Sequence, residues 1–317
     1  MTVDTRLDVA ASGPPGGTLK RSRPRYGERV IEVVLLLAAL VSIATTVGII
    51  YSIIPPTIEF FGSVSFADFF GSVSWGPLFE PPSYGVWPII TATLLVTAIA
   101  VLVAVPLGLL SAIYLSEYAR PRTRTVLKPT LEVLAGIPTV VYGFFALTLV
   151  TPFLQRIWPI GEGPDVFNAL AGGVVMGIMI IPTVASLSED AMAAVPNSLR
   201  DAAYALGSTR MIVSLRVVVP AALSGIVAAF VLGISRAIGE TMIVTIATGA
   251  KANLTWNPLR EMQTMTAFIA QAGQGDLPTA SLDYKTIFAV AALLFLITFV
   301  MNAVSIRLVR KYREVYE

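Results

Sequence analysis

The chain of 317 residues contains no cysteine and no histidine. Disulfides, thiol nucleophiles and the usual zinc and haem ligands are thereby excluded. Motifs that need histidine, such as H-E-x-x-H, are excluded with them, and no paired aspartates fall inside the apolar runs. The sequence also lacks a G-x-x-x-x-G-K-[ST] loop, so it has no P-loop with which to cradle a nucleotide. Charge is scarce, at 13% of residues, and the formal net charge of +2 says less than where the charges lie.

What is abundant is apolar surface. Hydrophobic residues make up 55% of the chain and the mean hydropathy is +0.77, values of a polytopic membrane protein and not of a soluble domain. Six apolar runs have a length near the ~20 residues that span hydrocarbon. They are Val30–Ile53, Trp87–Leu115, Leu131–Phe153, Ala169–Leu187, Val217–Ala247 and Thr286–Ile306. The predicted fold class is therefore all-α, with six transmembrane helices.

Orientation follows from lysine and arginine. Arg6, Lys20, Arg21, Arg23, Arg25 and Arg29 precede the first run. Arg120, Arg122, Arg124 and Lys128 follow the second, Arg200, Arg210 and Arg216 the fourth, and Arg307, Arg310, Lys311 and Arg313 the sixth. The opposite loops hold only Arg156, Lys251, Arg260 and Lys285. By the positive-inside rule both termini and the even-numbered loops are cytoplasmic.

The organisation reads as a basic flexible tail over 1–29, with Gly13-Pro-Pro-Gly-Gly17, then a first span and external loop over 30–86. A core over 87–309 contains a cytoplasmic loop at about 188–220, and a short tail covers 310–317. The first apolar run is too long for the core of a cleavable signal, so it reads as an uncleaved anchor. A repeat, Phe60-Phe-Gly-Ser-Val-Ser65 and Phe69-Phe-Gly-Ser-Val-Ser74, is expected to have only a local surface or interfacial role. In the third outer loop Leu259, Met262, Phe268 and Ile269 suit one apolar face of a helix lying on the membrane surface.

Two places carry chemistry. Arg236 and Glu240 lie four residues apart inside an apolar run, which would place both on one helix face. A charge at the bilayer centre costs about 2.5–3.5 kcal/mol on insertion scales, so that face is expected to meet protein or water. An arginine fork suits an oxyanion. The carboxylate either accepts a proton from the ligand or holds the arginine, and an ion pair that only orders packing is the alternative for both. Ser235 and Thr241 flank the pair, and Pro138, Thr139 and Tyr142 are candidates to line the same path. Gly136, Pro138 and Gly143 are expected to bend the third span, while Gly173 and Gly177 form a G-x-x-x-G pair suited to close helix packing.

The second place is the cytoplasmic loop Pro196-Asn-Ser-Leu-Arg-Asp-Ala-Ala-Tyr-Ala-Leu-Gly207. Ser198 and Asp201 read as a helix start and Gly207 as its stop. Leu199, Ala202, Ala203 and Leu206 would form a narrow face with small residues at its centre, suited to a groove on another protein.

Asp201-Ala202-Ala203, three residues, Gly207, nine residues and Val217-x-Val219-Pro220 resemble the EAA loop of ABC-importer permeases, E-A-A-x3-G-x9-I-x-L-P. The departures are aspartate for glutamate and valine at the two aliphatic positions. Ser235–Met242, Ala135–Phe145 and Trp75-x-Pro77 with Tyr84-Gly85 narrow the likeness to permeases of the high-affinity phosphate importer. The Met-Ile-Val-Thr continuation and the basic tail are more similar to the PstC type than to the PstA type.

The resemblance implies a type I ABC-importer permease fold in a bacterial inner membrane. It implies that Asp201, Ala202, Ala203, Gly207 and Pro220 belong to a coupling element that docks on an ATPase dimer. ATP and Mg would be used by that partner, with no cofactor bound by this chain and no enzymatic activity of its own. A PstA-type second permease and an external phosphate-binding protein complete the implied assembly. The remaining readings are a permease for another oxyanion, such as phosphonate or molybdate, and a proton-coupled secondary transporter using Glu240. The EAA-like loop speaks against the latter.

Overall fold

The computed structural model describes residues 26–158 and 161–311, so the Gly13–Gly17 stretch and the last residues of the C-terminal tail lie outside the described residues. The chain divides into two units, residues 1–51 and 52–317. The described part of the first belongs to helix α1 (Tyr26–Ser63). Its large apolar side chains, among them Leu35, Leu40, Ile43 and Val47, are exposed, as a lipid-facing helix requires. Its hydroxyls are satisfied within the helix, Thr45 donating to the Val41 carbonyl at 2.8 Å and Thr46 to that of Ser42 at 3.1 Å.

The second unit follows the order α2 (Phe66–Gly71), a two-residue antiparallel pair of β1 (Trp75–Gly76) and β2 (Ser83–Tyr84), and α3 (Trp87–Ile113). Helix α4 (Pro121–Ala135), α5 (Thr139–Phe145) and α6 (Thr151–Ile157) come next, then α7 (Ala169–Ala193). The segment after it holds α8 (Asn197–Ala205), α9 (Arg210–Val213) and α10 (Val219–Ala221). The chain closes with α11 (Leu223–Ile238), α12 (Met242–Ala247), α13 (Met265–Gly273) and α14 (Leu282–Lys311). Wide π-turns occur at Tyr114–Tyr118, Ala146–Val150 and Ser214–Val218. Among the described residues five helices are long and apolar enough to cross a membrane, and a sixth span exists if Arg210–Ala221 and Leu223–Ile238, bent by 72°, are one crossing.

Helices α3 and α7 form the spine of the core. Ala92, Val96, Ala100 and Ala104 recur every fourth residue on α3 and meet Met176, Met179, Ile180 and Val184 of α7. The Gly173–Gly177 pair lets the two backbones approach: a Cβ at Gly177 would lie 2.8 Å from the Ala100 carbonyl oxygen and 2.7 Å from the Val103 side chain. This is the close packing expected of small residues four apart.

Several sequence expectations change here. The third run is not one helix over Leu131–Phe153, because Gly136–Pro138 separates α4 from α5. Pro138 has no N–H to continue the ladder, and the residue before it is pushed away from helical angles. The fifth run, Val217–Ala247, is three helices, interrupted at Ala222 and again at Gly239–Thr241. The phenylalanine repeat is only partly at the surface: Phe60 and Phe69, the first residue of each copy, are buried with Trp75, their rings 5.7 Å apart and the Trp75 ring 4.9 Å from Phe268, whereas Phe70 and Val73 are exposed. Leu259 and Met262 precede α13 and do not share a helix with Phe268. Met265, Phe268 and Ala272 bury α13 in this aromatic cluster.

Candidate functional site

Arg236 lies in the last turn of α11, and Gly239 ends that helix. Glu240 therefore does not continue the same helix face, and the expected i, i+4 pairing is absent. Each charge meets a different helix end. Arg236 stands at the negative end of α11, where a cation is favoured. The Glu240 carboxylate caps α12, its Oε1 accepting from the backbone N–H of Met242 at 3.0 Å and of Ile243 at 3.2 Å. Thr266 donates to the Glu240 carbonyl at 2.7 Å and fixes the break from the other side. The crevice around Glu240, lined by Thr93, Thr97, Thr264 and Thr266, has no room for a water-sized group. Glu240 is thus a structural cap in this conformation, because helix ends at membrane depth must be satisfied internally.

Arg236 is left with a neutral partner. Its Nη1 donates to Thr183 Oγ1 of α7 at 3.1 Å, and among the described residues no carboxylate pairs with it. The Tyr142 hydroxyl donates to the Leu134 carbonyl at 3.0 Å across the α4–α5 break. The structure therefore brings together Arg236 of α11 and Thr183 of α7, both half-buried, and Tyr142 of α5 is half-buried as well. Thr139 begins α5 and Pro138, exposed, precedes it. Ser235 is turned elsewhere: its hydroxyl bonds Asn302 of α14 at 2.7 Å, beside a groove between α11 and α14. The Thr241 hydroxyl donates to the Gly239 carbonyl at 3.3 Å. Sequence reasoning missed Thr183, since one threonine in a long apolar helix carries no signal of what faces it.

Helix α8 starts at Asn197 with Pro196 at its cap, so Ser198 is not the capping residue. Its stop is where the glycine placed it. Gly207 has φ of 79°, its N–H donates to the Tyr204 carbonyl at 2.9 Å, and Ser208 N–H reaches the Ala203 carbonyl at 3.1 Å. This is the Schellman arrangement, which favours a residue without a Cβ. The expected apolar face splits. Leu199 and Ala203 pack inward against Val213, Val218 and their neighbours, whereas Asp201, Ala202, Tyr204 and Leu206 are exposed, Leu206 at 88%. Pro220 lies in α10, at the 72° bend that leads into α11.

Two ionic clusters that the sequence reading did not single out tie this side together. Glu189, fully buried at the end of α7, receives Arg124 and, at 2.7 Å, Lys128 Nζ, both from α4. Lys128 also pairs with Asp190. Burial alone would lower the Lys128 pKa, but the hydrogen bonds to Asp190 and Glu189 outweigh it and raise the value above the ordinary lysine range. The second cluster joins Arg200 of α8 to Glu117 at 3.0 Å. Each was visible in sequence only as a charge at the edge of an apolar run.

A broken span, an arginine at the break and an exposed helix closed by Gly207 suit a membrane permease of the class that the EAA-like loop resembles. The model of the binding-protein-dependent transport system inner membrane component matches residues 104–314, and the chain belongs to that family. It is 36% identical to the probable ABC transporter permease protein YqgH of Bacillus subtilis over 270 residues, which cover 84% of this chain and 86% of that protein. It is 30% identical to the phosphate transport system permease protein PstC of Xylella fastidiosa (strain Temecula1), covering 97% and 98%, which supports the PstC-type resemblance. Among solved structures, a bacterial alginate ABC transporter bound to its alginate-loaded periplasmic protein matches with a TM-score of 0.61 at 16% identity, over 91% of this chain and 98% of that one. The inward-facing MetNI methionine ABC transporter gives 0.53 at 20% identity, over 73% and 95%. These structural likenesses show the fold, that of type I ABC-importer permeases.

Proposed function

We propose that this permease carries inorganic phosphate inward across the bacterial inner membrane, with both termini in the cytoplasm. It works beside a PstA-type second permease, receives the anion from an external phosphate-binding protein and is driven by an ATPase dimer that binds the exposed side of α8. ATP and Mg act in that partner, and this chain holds neither. The observation that carries the reading is the Arg236 guanidinium, half-buried at a break in a membrane helix and bonded to the neutral Thr183 hydroxyl. A cation at that depth without a carboxylate partner retains its capacity for an oxyanion, and its planar fork offers several N–H donors to phosphate oxygens. Relatives carrying the PstC name favour phosphate among oxyanions.

The test is Arg236→Gln in the chain assembled with its partners. The variant is expected to assemble, since no ion pair is broken, and to lose phosphate uptake. Uptake at the wild-type rate would overturn the role of Arg236. Competition of phosphate uptake by phosphonate or molybdate at equal concentration would move the assignment to another oxyanion.

A further inference from the structure

The α8–α9 segment grips the cytoplasmic end of α3 from two sides. The last turn of α3 opens into the π-turn Tyr114–Tyr118, a widening that recurs at functional positions. Its Glu117 is buried, at 6% exposure, and accepts from Arg200 Nη2 at 3.0 Å. The next residue, Tyr118, lies under the Arg210 guanidinium, 5.2 Å from ring centroid to the guanidinium carbon. Arg200 sits within α8 and Arg210 starts α9, so one arginine lies on each side of the Gly207 turn.

Arg200 does more than pair with Glu117. Its Nη2 also donates to the Met192 carbonyl at 2.8 Å and its Nη1 to that of Val195 at 2.6 Å. The Met192 carbonyl lies in the last turn of α7, where it also accepts from the Val195 N–H at 3.2 Å, and Val195 follows just beyond the helix end. One guanidinium thus bonds α8, the end of α3 and the end of α7 at once. Helices α3 and α7 are already locked by the glycine contacts along their length. Helix α7 also carries Thr183, the partner of Arg236.

We infer that Arg200 is a positioning residue that makes α8, α3 and α7 one moving body, through its bonds to Glu117, Met192 and Val195. A displacement of α8 then reaches the Thr183–Arg236 contact without a flexible step between. The inference rests on the proposed reading of α8 as the ATPase-facing helix. Arginine is required because a lysine ammonium is a single point and does not span three acceptors on two helix ends.

The experiment uses the full chain assembled with its partner subunits in nanodiscs and proteoliposomes. The absence of cysteine allows spin labels at Ser198→Cys on α8 and Leu110→Cys on α3, both exposed positions. Between the nucleotide-free and ATP-bound states their separation is expected to change by no more than about 2 Å, the scale of small helix shifts. In Arg200→Lys the separation should vary between states, basal ATP hydrolysis should persist, and phosphate taken up per ATP should fall about tenfold. If Arg200→Lys does not assemble, Glu117→Ala, which removes the acceptor of the Arg200 Nη2 bond, is expected to give the same loss. A separation that changes by about 5 Å, a full helical turn, in the parent protein overturns the inference. So does full uptake per ATP in the variant. Failure of the proposed function is read separately. A parent complex that binds the ATPase but takes up no phosphate sinks the substrate assignment while the label distances still judge the joint. A parent chain that binds no ATPase through α8 sinks both.

Discussion

Replacing Glu240 distinguishes a helix cap from a counter-ion. In the structure its Oε1 holds the N–H groups of Met242 and Ile243, and no bond runs to Arg236. Glu240→Ala leaves two N–H groups at the start of α12 without their carboxylate acceptor. At about 1–3 kcal/mol for each of the two unsatisfied groups, the expected cost is roughly 2–6 kcal/mol. Glu240→Gln keeps one amide oxygen at the same reach and sheds the desolvation of a buried charge. Its expected cost is below about 1 kcal/mol. A counter-ion role would remove this difference: stranding Arg236 would cost about 3–5 kcal/mol in either variant. The assay is thermal unfolding of the assembled complex in nanodiscs, with hydrogen exchange of the peptide that contains Met242 and Ile243. Faster exchange there in Glu240→Ala, and wild-type exchange in Glu240→Gln, is the expected pattern. Equal destabilisation by alanine and glutamine would refute the capping argument.

Three further outcomes are expected. Gly207→Val places a β-branched residue at φ of 79°, a conformation that costs an ordinary residue about 1–2 kcal/mol, so the chain should insert normally while the ATPase no longer co-purifies; undiminished co-purification would count against the role of α8. A reporter fused after Arg124 should be cytoplasmic and one between Trp75 and Tyr84 external, and finding both on one side would contradict the span order. Gly177→Val should lower thermal stability by about 1–3 kcal/mol through overpacking against Ala100 and Val103, measured on the purified assembly, and a neutral result would show that α3 and α7 separate more easily than their packing implies.

Much of this protein was legible in its linear sequence because the bilayer imposes a one-dimensional rule. Apolar runs near 20 residues span, and lysine and arginine mark the loops between them. The Gly207 stop was equally legible, since a single residue without a Cβ answers a local backbone requirement. The spacing Asp201–Pro220 pointed to the family on its own. The tertiary structure decided where polar side chains turn. A four-residue interval in Arg236-Ala-Ile-Gly-Glu240 promised a shared helix face, but Gly239 ends α11 and sends the carboxylate to α12. Leu199 and Leu206 carry similar hydrophobicity in sequence, yet one packs under α8 and the other stands in solvent. Thr183, Glu117 and Glu189 gained their meaning only from partners 53, 83 and 65 positions away, Arg236, Arg200 and Arg124. Periodicity reports the requirements of one helix. Which buried group satisfies which is settled only when several helices close around the same low-dielectric space, where each unpaired donor or charge costs more than any local preference can offset.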